Sequence, residues 1–387
     1  MINPDDFLGF LHHKGIRFYS GVPDSLLKEF CLAIDGTKED IRHQLACNEG
    51  TAAGMAIGYH LATNSIPVVY LQNSGLGNIV NPICSLAATD VYSIPMLFII
   101  GWRGETKPDG TQLNDEPQHV MQGRVTLPQL DVINIPYHIL EGEPDIDFPQ
   151  IEQLLEQAQR EKRPVALVVR KHTFSPCQQA RQPARTSATL LREEIVAEVL
   201  STLPADVPII STTGMLSREL FELREQRGEE HERDFLTVGG MGLASQIALG
   251  ISEGRPGKKV VCLDGDGATL MHMGGLTNSA LSPTLIHIVI NNGAHESVGG
   301  QRTAASRLPL APIAAACGYS RVTAVGSREA LRATLHKALM SQGSQGSQFI
   351  EVKCRIGHRD NLGRPTTSPS QNRTCFMRFL SQPAHSS

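Results

Sequence analysis

Short apolar runs recur along the chain: IRFYSGV, IPVVYLQ, IPMLFII and RPVALVVR in the first half, then VPIISTTG, KKVVCLDGDG, TLIHIVINN and SQFIEVK in the second. Runs of this length read as buried strands rather than helices. Between them lie stretches of helical periodicity, among them EGTAAGMAIGYHLA, DFPQIEQLLEQAQREK, LLREEIVAEVLSTL and SREALRATLHKALMS. Buried strands alternating with amphipathic helices predict parallel sheets covered on both faces. The stretch 172–189 is polar, contains proline and shows little periodicity, so it reads as a linker. The expected fold is therefore α/β, with two doubly wound parallel-sheet domains at 1–171 and 190–380 and a disordered tail at 381–387. The run SQGSQGSQ that begins at Ser341 reads as a loop.

Composition narrows the class. A chain of 387 residues, 41% hydrophobic and 19% charged, can build two substantial cores. The net charge of −4 argues against the basic stripe of a nucleic-acid surface. The opening MINPDDFLGFLHHKG lacks the basic-then-apolar order of a signal peptide, and the longest apolar run, IPMLFIIGW, is too short to span a membrane. The eight cysteines form no CxxC and no zinc-like spacing. Most sit in apolar segments and read as reduced core thiols of a cytoplasmic protein.

Candidate chemistry gathers where two consecutive apolar runs end. The run 260–263 leads into Gly265-Asp266-Gly267, and the run 285–290 ends in Asn291-Asn292. The 23 residues between these marks suit one crossover helix, which would bring Asp266 and Asn292 out on the same sheet edge. Ligands of parallel α/β sheets gather at that edge. A carboxylate and an amide oxygen converging there make a hard-oxygen site for Mg²⁺, which completes its octahedron with water and substrate phosphates. Glycines beside Asp266 let backbone N–H groups approach a phosphate, helped by the helix start that follows. An isolated GDG is more often a plain turn; the pairing of both strand ends raises the metal reading. DGDGATLMHMGG is no EF-hand, because its sixth position is Thr269 and its twelfth Gly275. GGMGLA is no dinucleotide fingerprint, since Ser245 stands where the third glycine or alanine belongs.

The GDG, 23 residues, then NN pattern resembles the thiamine-diphosphate signature of decarboxylases and carboligases. That resemblance implies that Asp266, Asn292 and the carbonyl of Ala294 hold Mg²⁺, while Gly265, Gly267, Ala268 and Asn291 adjoin the diphosphate. CNEGTAAGMAIGY resembles the segment carrying the family's glutamate, which makes Glu49 the carboxylate expected against N1′ of the aminopyrimidine. Taken alone, a glutamate at a helix start is most often a dipole or capping residue. TVGGMGLASQIALG is similar to the segment that supports the bent cofactor, with Met241 as the apolar wedge and the backbone of Gly239 facing the 4′-amino group. The family's sites lie at subunit interfaces, so a homodimer or dimer of dimers is implied. Gly50, Gly54 and Gly58 give one smooth helix face, suited to a subunit or sheet contact. The third, central domain of longer family members is absent.

FYSGVPDSLLKEFC, YLQNSGLGNIVNP, RGETKPDGTQLNDEPQH, NNGAHESVGGQ and DNLGRPTTSPSQNRTCFM narrow the resemblance to the branch acting on 3-substituted pyruvates, the phosphonopyruvate and sulfopyruvate decarboxylases. It implies decarboxylation of 3-phosphonopyruvate, a place in phosphonate biosynthesis, and a pocket lined with donors for an anionic small molecule. Candidates are Asp24, Ser25, Gln118, His119, His295, Ser297 and Gln301. Asp24 is awkward beside an anion and alternatively orders its loop. His119 and His295 suit a proton donor, though each taken alone reads more readily as structural. Arg103, Arg302, Arg359 and Arg364 are candidate counter-charges. Two rival readings are weaker: a nucleotide-binding dehydrogenase needs a GxGxxG that is not found, and a non-catalytic partner has no reason to retain Glu49, Asp266 and Asn292 together.

Overall fold

Six strands of the first half form one parallel sheet: β1 (Phe18–Gly21), β2 (Arg42–Leu45), β3 (Val68–Gln72), β4 (Leu97–Gly101), β5 (Tyr137–Ile139) and β6 (Val165–Val169), in the order β2-β1-β3-β4-β6-β5. The computed structural model describes residues 1–107, 109–177, 188–341 and 346–382. It divides into two compact units, Met1–Gln182 with Val298–Gln301, and Pro183–Ser297 with Arg302–Ser387.

Strand alternation sends successive side chains to opposite faces, so the first sheet carries two cores. Tyr19, Val68, Tyr70, Leu97, Ile99 and Leu167 pack on one face. Val69, Leu71, Phe98, Ile100, Ala166 and Val168 pack on the other, against Ala52, Ala53 and Ala56 of the helix Glu49–Thr63. The small residues of that helix let it lie close to the sheet. Ile2 bridges Phe174 and both side chains join the first core. Within the expected linker, residues 178–187 lie outside the described residues, as do 342–345 of the serine–glycine run and 383–387 of the tail.

The second unit repeats the arrangement. Its strands are β7 (Ile209–Ser211), β8 (Asp234–Leu236), β9 (Val260–Gly265), β10 (Leu285–Asn291), β11 (Arg321–Val325) and β12 (Gln348–Lys353), all parallel, ordered β11-β12-β10-β9-β7-β8. Read from the β8 edge, this is the strand order of the first sheet. In each sheet the chain turns back at its second strand, so the strand order reverses beside the first (β1 next to β3, β7 next to β9). Crevices at such reversals, outside the strand C-termini, are where doubly wound sheets bind ligands.

The expected single crossover helix between β9 and β10 is broken into Asp266–Met271, a 3₁₀ turn Met273–Gly275 and Leu276–Ser279. The break falls at His272, whose φ −125 and ψ 45 are not helical, and Gln246 braces the pieces that follow. Its side chain lies where a Cβ on Gly275 would stand, 2.7 Å away, and its Nε2 donates to the Gly275 carbonyl at 2.9 Å and to Ser279 Oγ at 2.9 Å. Among the described residues, no helix is long and apolar enough to cross a membrane.

Candidate active site

The C-terminal edge of the second sheet opens into a cleft of about 100 Å³. Thr212 and Thr213 reach it from the end of β7, Gly265 to Ala268 from the end of β9, and Asn292, Ala294, His295 and Ser297 from beyond β10; Met241 also lines it. Asp266 is buried and its carboxylate accepts from Thr303 Oγ1. Burial pushes its pKa up to about 6, against the pull of the Thr303 hydroxyl, nearby backbone N–H groups and Lys353. A buried carboxylate charged at neutral pH is under-compensated, and a cation is what such a site lacks. The loop that presents it is braced from behind, where Asp264 accepts from the Gly265 N–H at 2.9 Å and from Thr269 Oγ1 at 3.2 Å. Gly267 sits in a tight place: a Cβ there would stand 3.1 Å from Cε1 of the His295 ring, which would have to give way by a few tenths of an ångström.

Asn292 and Asn291 part company at the end of β10. Asn292 lines the cleft. Asn291 is buried; its Nδ2 donates to Glu351 at 2.7 Å and its Oδ1 accepts from the Gly293 N–H at 3.0 Å, an arrangement that shapes the turn. Gly239 has φ +74, which favours glycine, and its N–H donates to Thr213 Oγ1 at 3.0 Å.

A second cluster lies at the C-terminal edge of the first sheet. Glu49 opens the helix Glu49–Thr63 after the N-cap Asn48, and its side chain is buried. Its Oε2 accepts from Asn78 Nδ2 at 2.7 Å. Gly75 leaves room for it, since a Cβ there would stand 2.5 Å from Glu49 Oε1. Beyond β1, Asp24 is buried and its Oδ2 accepts from the Leu26 N–H at 2.9 Å. Beyond β4, Arg103 donates to Ser25 Oγ at 2.9 Å and forks onto Asp115, which also accepts from the Gly104 and Glu116 N–H groups. Gln118 and buried His119 sit at the start of the helix Pro117–Val132, 3.4 Å apart at Nε2 and Nε2. Gln301 is fully buried with neither end of its amide hydrogen-bonded. Of the other candidate arginines, Arg302 is exposed, while Arg359 is occupied by Glu193 and Glu222.

Two protein-family models match this chain: the thiamine pyrophosphate enzyme N-terminal TPP binding domain over residues 4–130, and the thiamine pyrophosphate enzyme C-terminal TPP binding domain over residues 212–352. Phosphonopyruvate decarboxylases of Streptomyces hygroscopicus and Streptomyces viridochromogenes are each 32% identical to it, covering 99% of this chain and 95% and 96% of theirs. The chain belongs to the thiamine pyrophosphate enzymes. A sulfopyruvate decarboxylase of Methanosarcina acetivorans is 29% identical, covering 98% of both chains.

Several groups that hold this thiamine pyrophosphate enzyme's two clusters in shape carry no mark in the sequence. Thr303 and Asn78 contact Asp266 and Glu49 from residues 37 and 29 positions away. Glu296 sits inside the NNGAHESVGGQ segment, four residues after Asn292 and between the candidates His295 and Ser297. It accepts from Arg192 and from Asn292. Burial opposes its charge, but Arg192 and His358 hold its carboxyl below the usual carboxylate range.

Asp24 makes a direct prediction. Burial pushes its pKa up from 3.8 to about 6, although the Leu26 N–H and Arg103 pull it back. A folded-state pKa above the unfolded value means that stability from this group is full below about pH 4. It is lost as pH rises toward 6, at a cost of about 2–3 kcal/mol above that. Asp24→Asn keeps an oxygen for the Leu26 N–H and removes the charge. Denaturant unfolding should show the variant more stable than the parent at pH 7.5, with the gap narrowing below pH 6 and closing only below about pH 4. A gap that does not change with pH would remove the buried charge as its cause.

Proposed function

We propose that this chain is a thiamine-diphosphate- and Mg²⁺-dependent decarboxylase of 3-phosphonopyruvate, yielding carbon dioxide and phosphonoacetaldehyde. The observation that carries the proposal is the cleft where Asp266 and Asn292 meet from consecutive strand ends, in a chain alike over its whole length to phosphonopyruvate decarboxylases. The donor set fits the metal, being a buried carboxylate, an amide oxygen and the carbonyl of Ala294, all hard oxygen ligands. The glycine-lined loop Gly265–Gly267 fits a diphosphate that must approach the backbone. Bound there, the cofactor supplies the electron sink for loss of carbon dioxide.

The chain's own residues bind, orient and move protons. Asp266 and Asn292 hold Mg²⁺ at the strand ends, and Gly267 and Ala268 offer backbone N–H groups to the diphosphate. Met241 would offer the cofactor an apolar support, with the Gly239 backbone beside it. Glu49, kept from solvent and fixed by Asn78, would stand as the carboxyl group that holds a proton for the aminopyrimidine. His119 and His295 are the candidate donors for the later protonation, and Ser25, Asp24, Gln118, Ser297 and Gln301 the candidate substrate contacts. The unsatisfied amide of Gln301 supports that last assignment, because a buried polar group without a partner awaits one. Glu49 of one copy is proposed to serve the metal site of another, so that the active form is a homodimer or dimer of dimers. Eight free thiols support a reducing, cytoplasmic setting.

Parallel turnover of 3-phosphonopyruvate, sulfopyruvate and pyruvate tests the substrate. Phosphonopyruvate should give the highest kcat/KM, and a preference of about tenfold or more for either rival, some 1.4 kcal/mol of transition-state binding, would overturn the choice.

A further inference from the structure

An asparagine amide has two ends, and only the oxygen end can ligate a cation. At Asn292 both ends are assigned by neighbours. Nδ2 donates to Glu296 Oε2 at 2.9 Å, and Oδ1 accepts from the Ala294 N–H at 3.0 Å, leaving that oxygen's second lone pair available. Turning the amide over would set its oxygen against a carboxylate and its NH₂ against an N–H, so both contacts would become repulsive.

Glu296 does not stand alone. Its Oε2 also accepts from Arg192 Nη1 at 2.7 Å, while its Oε1 accepts from the Gly357 N–H at 2.9 Å and contacts His358 Nδ1 at 3.0 Å. Arg192 is clamped in turn, its Nε and Nη2 on the two oxygens of Glu219 at 2.7 and 2.8 Å. The side chains of Arg192, Glu219 and Glu296 are 9%, 1% and 7% exposed, so the carboxylate facing Asn292 has little freedom to move.

Resting on the magnesium site proposed above, we infer that Glu296, fixed by Arg192, is a positioning residue for the metal ligand. It dictates which end of the Asn292 amide faces the cation. Groups one shell out from a metal commonly act this way, and losing one typically costs 10–100-fold in metal affinity.

The test exchanges donor and acceptor across the contact. Mg²⁺ affinity is read by calorimetric titration of the full chain with thiamine diphosphate present, alongside thermal unfolding of the metal-free protein. Glu296→Gln offers either end to Asn292 and should weaken Mg²⁺ by about tenfold. Asn292→Asp sets two carboxylates together and should weaken it by about tenfold or more, although aspartate carries the charge that Mg²⁺ prefers. Combining the two lets the new amide donate to the new carboxylate, whose other oxygen faces the cation, and should return affinity to within roughly threefold of the parent. A merely structural Glu296 predicts no such rescue. The inference is overturned if Glu296→Gln binds Mg²⁺ as the parent does, or if the double variant is no better than Asn292→Asp. A parent chain that takes up no Mg²⁺, or Asp266→Ala that loses none, overturns the magnesium site itself and this inference with it.

Discussion

Glu49→Gln should lower turnover by roughly 10²–10⁴-fold, the range of a lost general acid–base, while leaving cofactor uptake nearly unchanged. The geometry makes the substitution clean. Glutamine has the volume of glutamate, so the close approach at Gly75 is preserved, and it retains an oxygen to accept from Asn78 Nδ2. What it cannot do is exchange a carboxyl proton with the cofactor. Glu49 is buried among groups that would tolerate the neutral amide at least as well as the charge, so stability should hold. The paired measurement is carbon dioxide release against calorimetric binding of thiamine diphosphate with Mg²⁺. A rate equal to the parent's removes Glu49 from the chemistry; lost binding as well would mean that it holds the cofactor rather than moving a proton.

The inner strands were readable from the sequence and the outer ones were not. β1, β3, β4 and β6, then β7, β9, β10 and β12, each coincide with an apolar run, because strands covered on both faces need continuous hydrophobicity. The four missed strands are the four sheet edges, β2, β5, β8 and β11. β2 is the sequence Arg-His-Gln-Leu with alternating exposed and half-buried positions, and β11 is largely exposed, so neither carries a buried-strand signal. The bracing of the broken crossover was hidden for another reason: Gln246 reaches it from a helix outside the segment, a contact that no local pattern encodes.

The site divides along the same line. Asp266, Asn292 and Glu49 stand at strand ends or a helix start, where spacing along the chain translates directly into position in space. Arg192 lies 104 residues from Glu296 in sequence, and only folding brings them together. Local motifs thus marked the proposed ligands, while Thr303, Asn78 and Arg192, which brace the two clusters, came from elsewhere in the chain.

Asp266→Ala should abolish Mg²⁺-dependent cofactor retention and leave the metal-free protein at least as stable. The two effects have one cause. In the metal-free chain the carboxylate is buried, with Thr303 Oγ1 as its side-chain hydrogen-bond donor and Lys353 acting only through its field. Removing it takes away a charge that burial disfavours, at the expense of one hydrogen bond worth about 0.5–1.5 kcal/mol. In the proposed loaded protein the same carboxylate would be the negative charge offered to the cation, beside the neutral oxygens of Asn292 and Ala294. A ligand that binds only the folded state stabilises it by RT ln(1 + [L]/Kd), about 2.7 kcal/mol at a hundredfold excess over Kd. Thermal unfolding of the parent should therefore rise on adding thiamine diphosphate with Mg²⁺, and that of Asp266→Ala should not respond. If the variant still gains stability from the pair, the diphosphate is anchored by something other than a metal at the end of β9, and Asp266 is a buried loop residue.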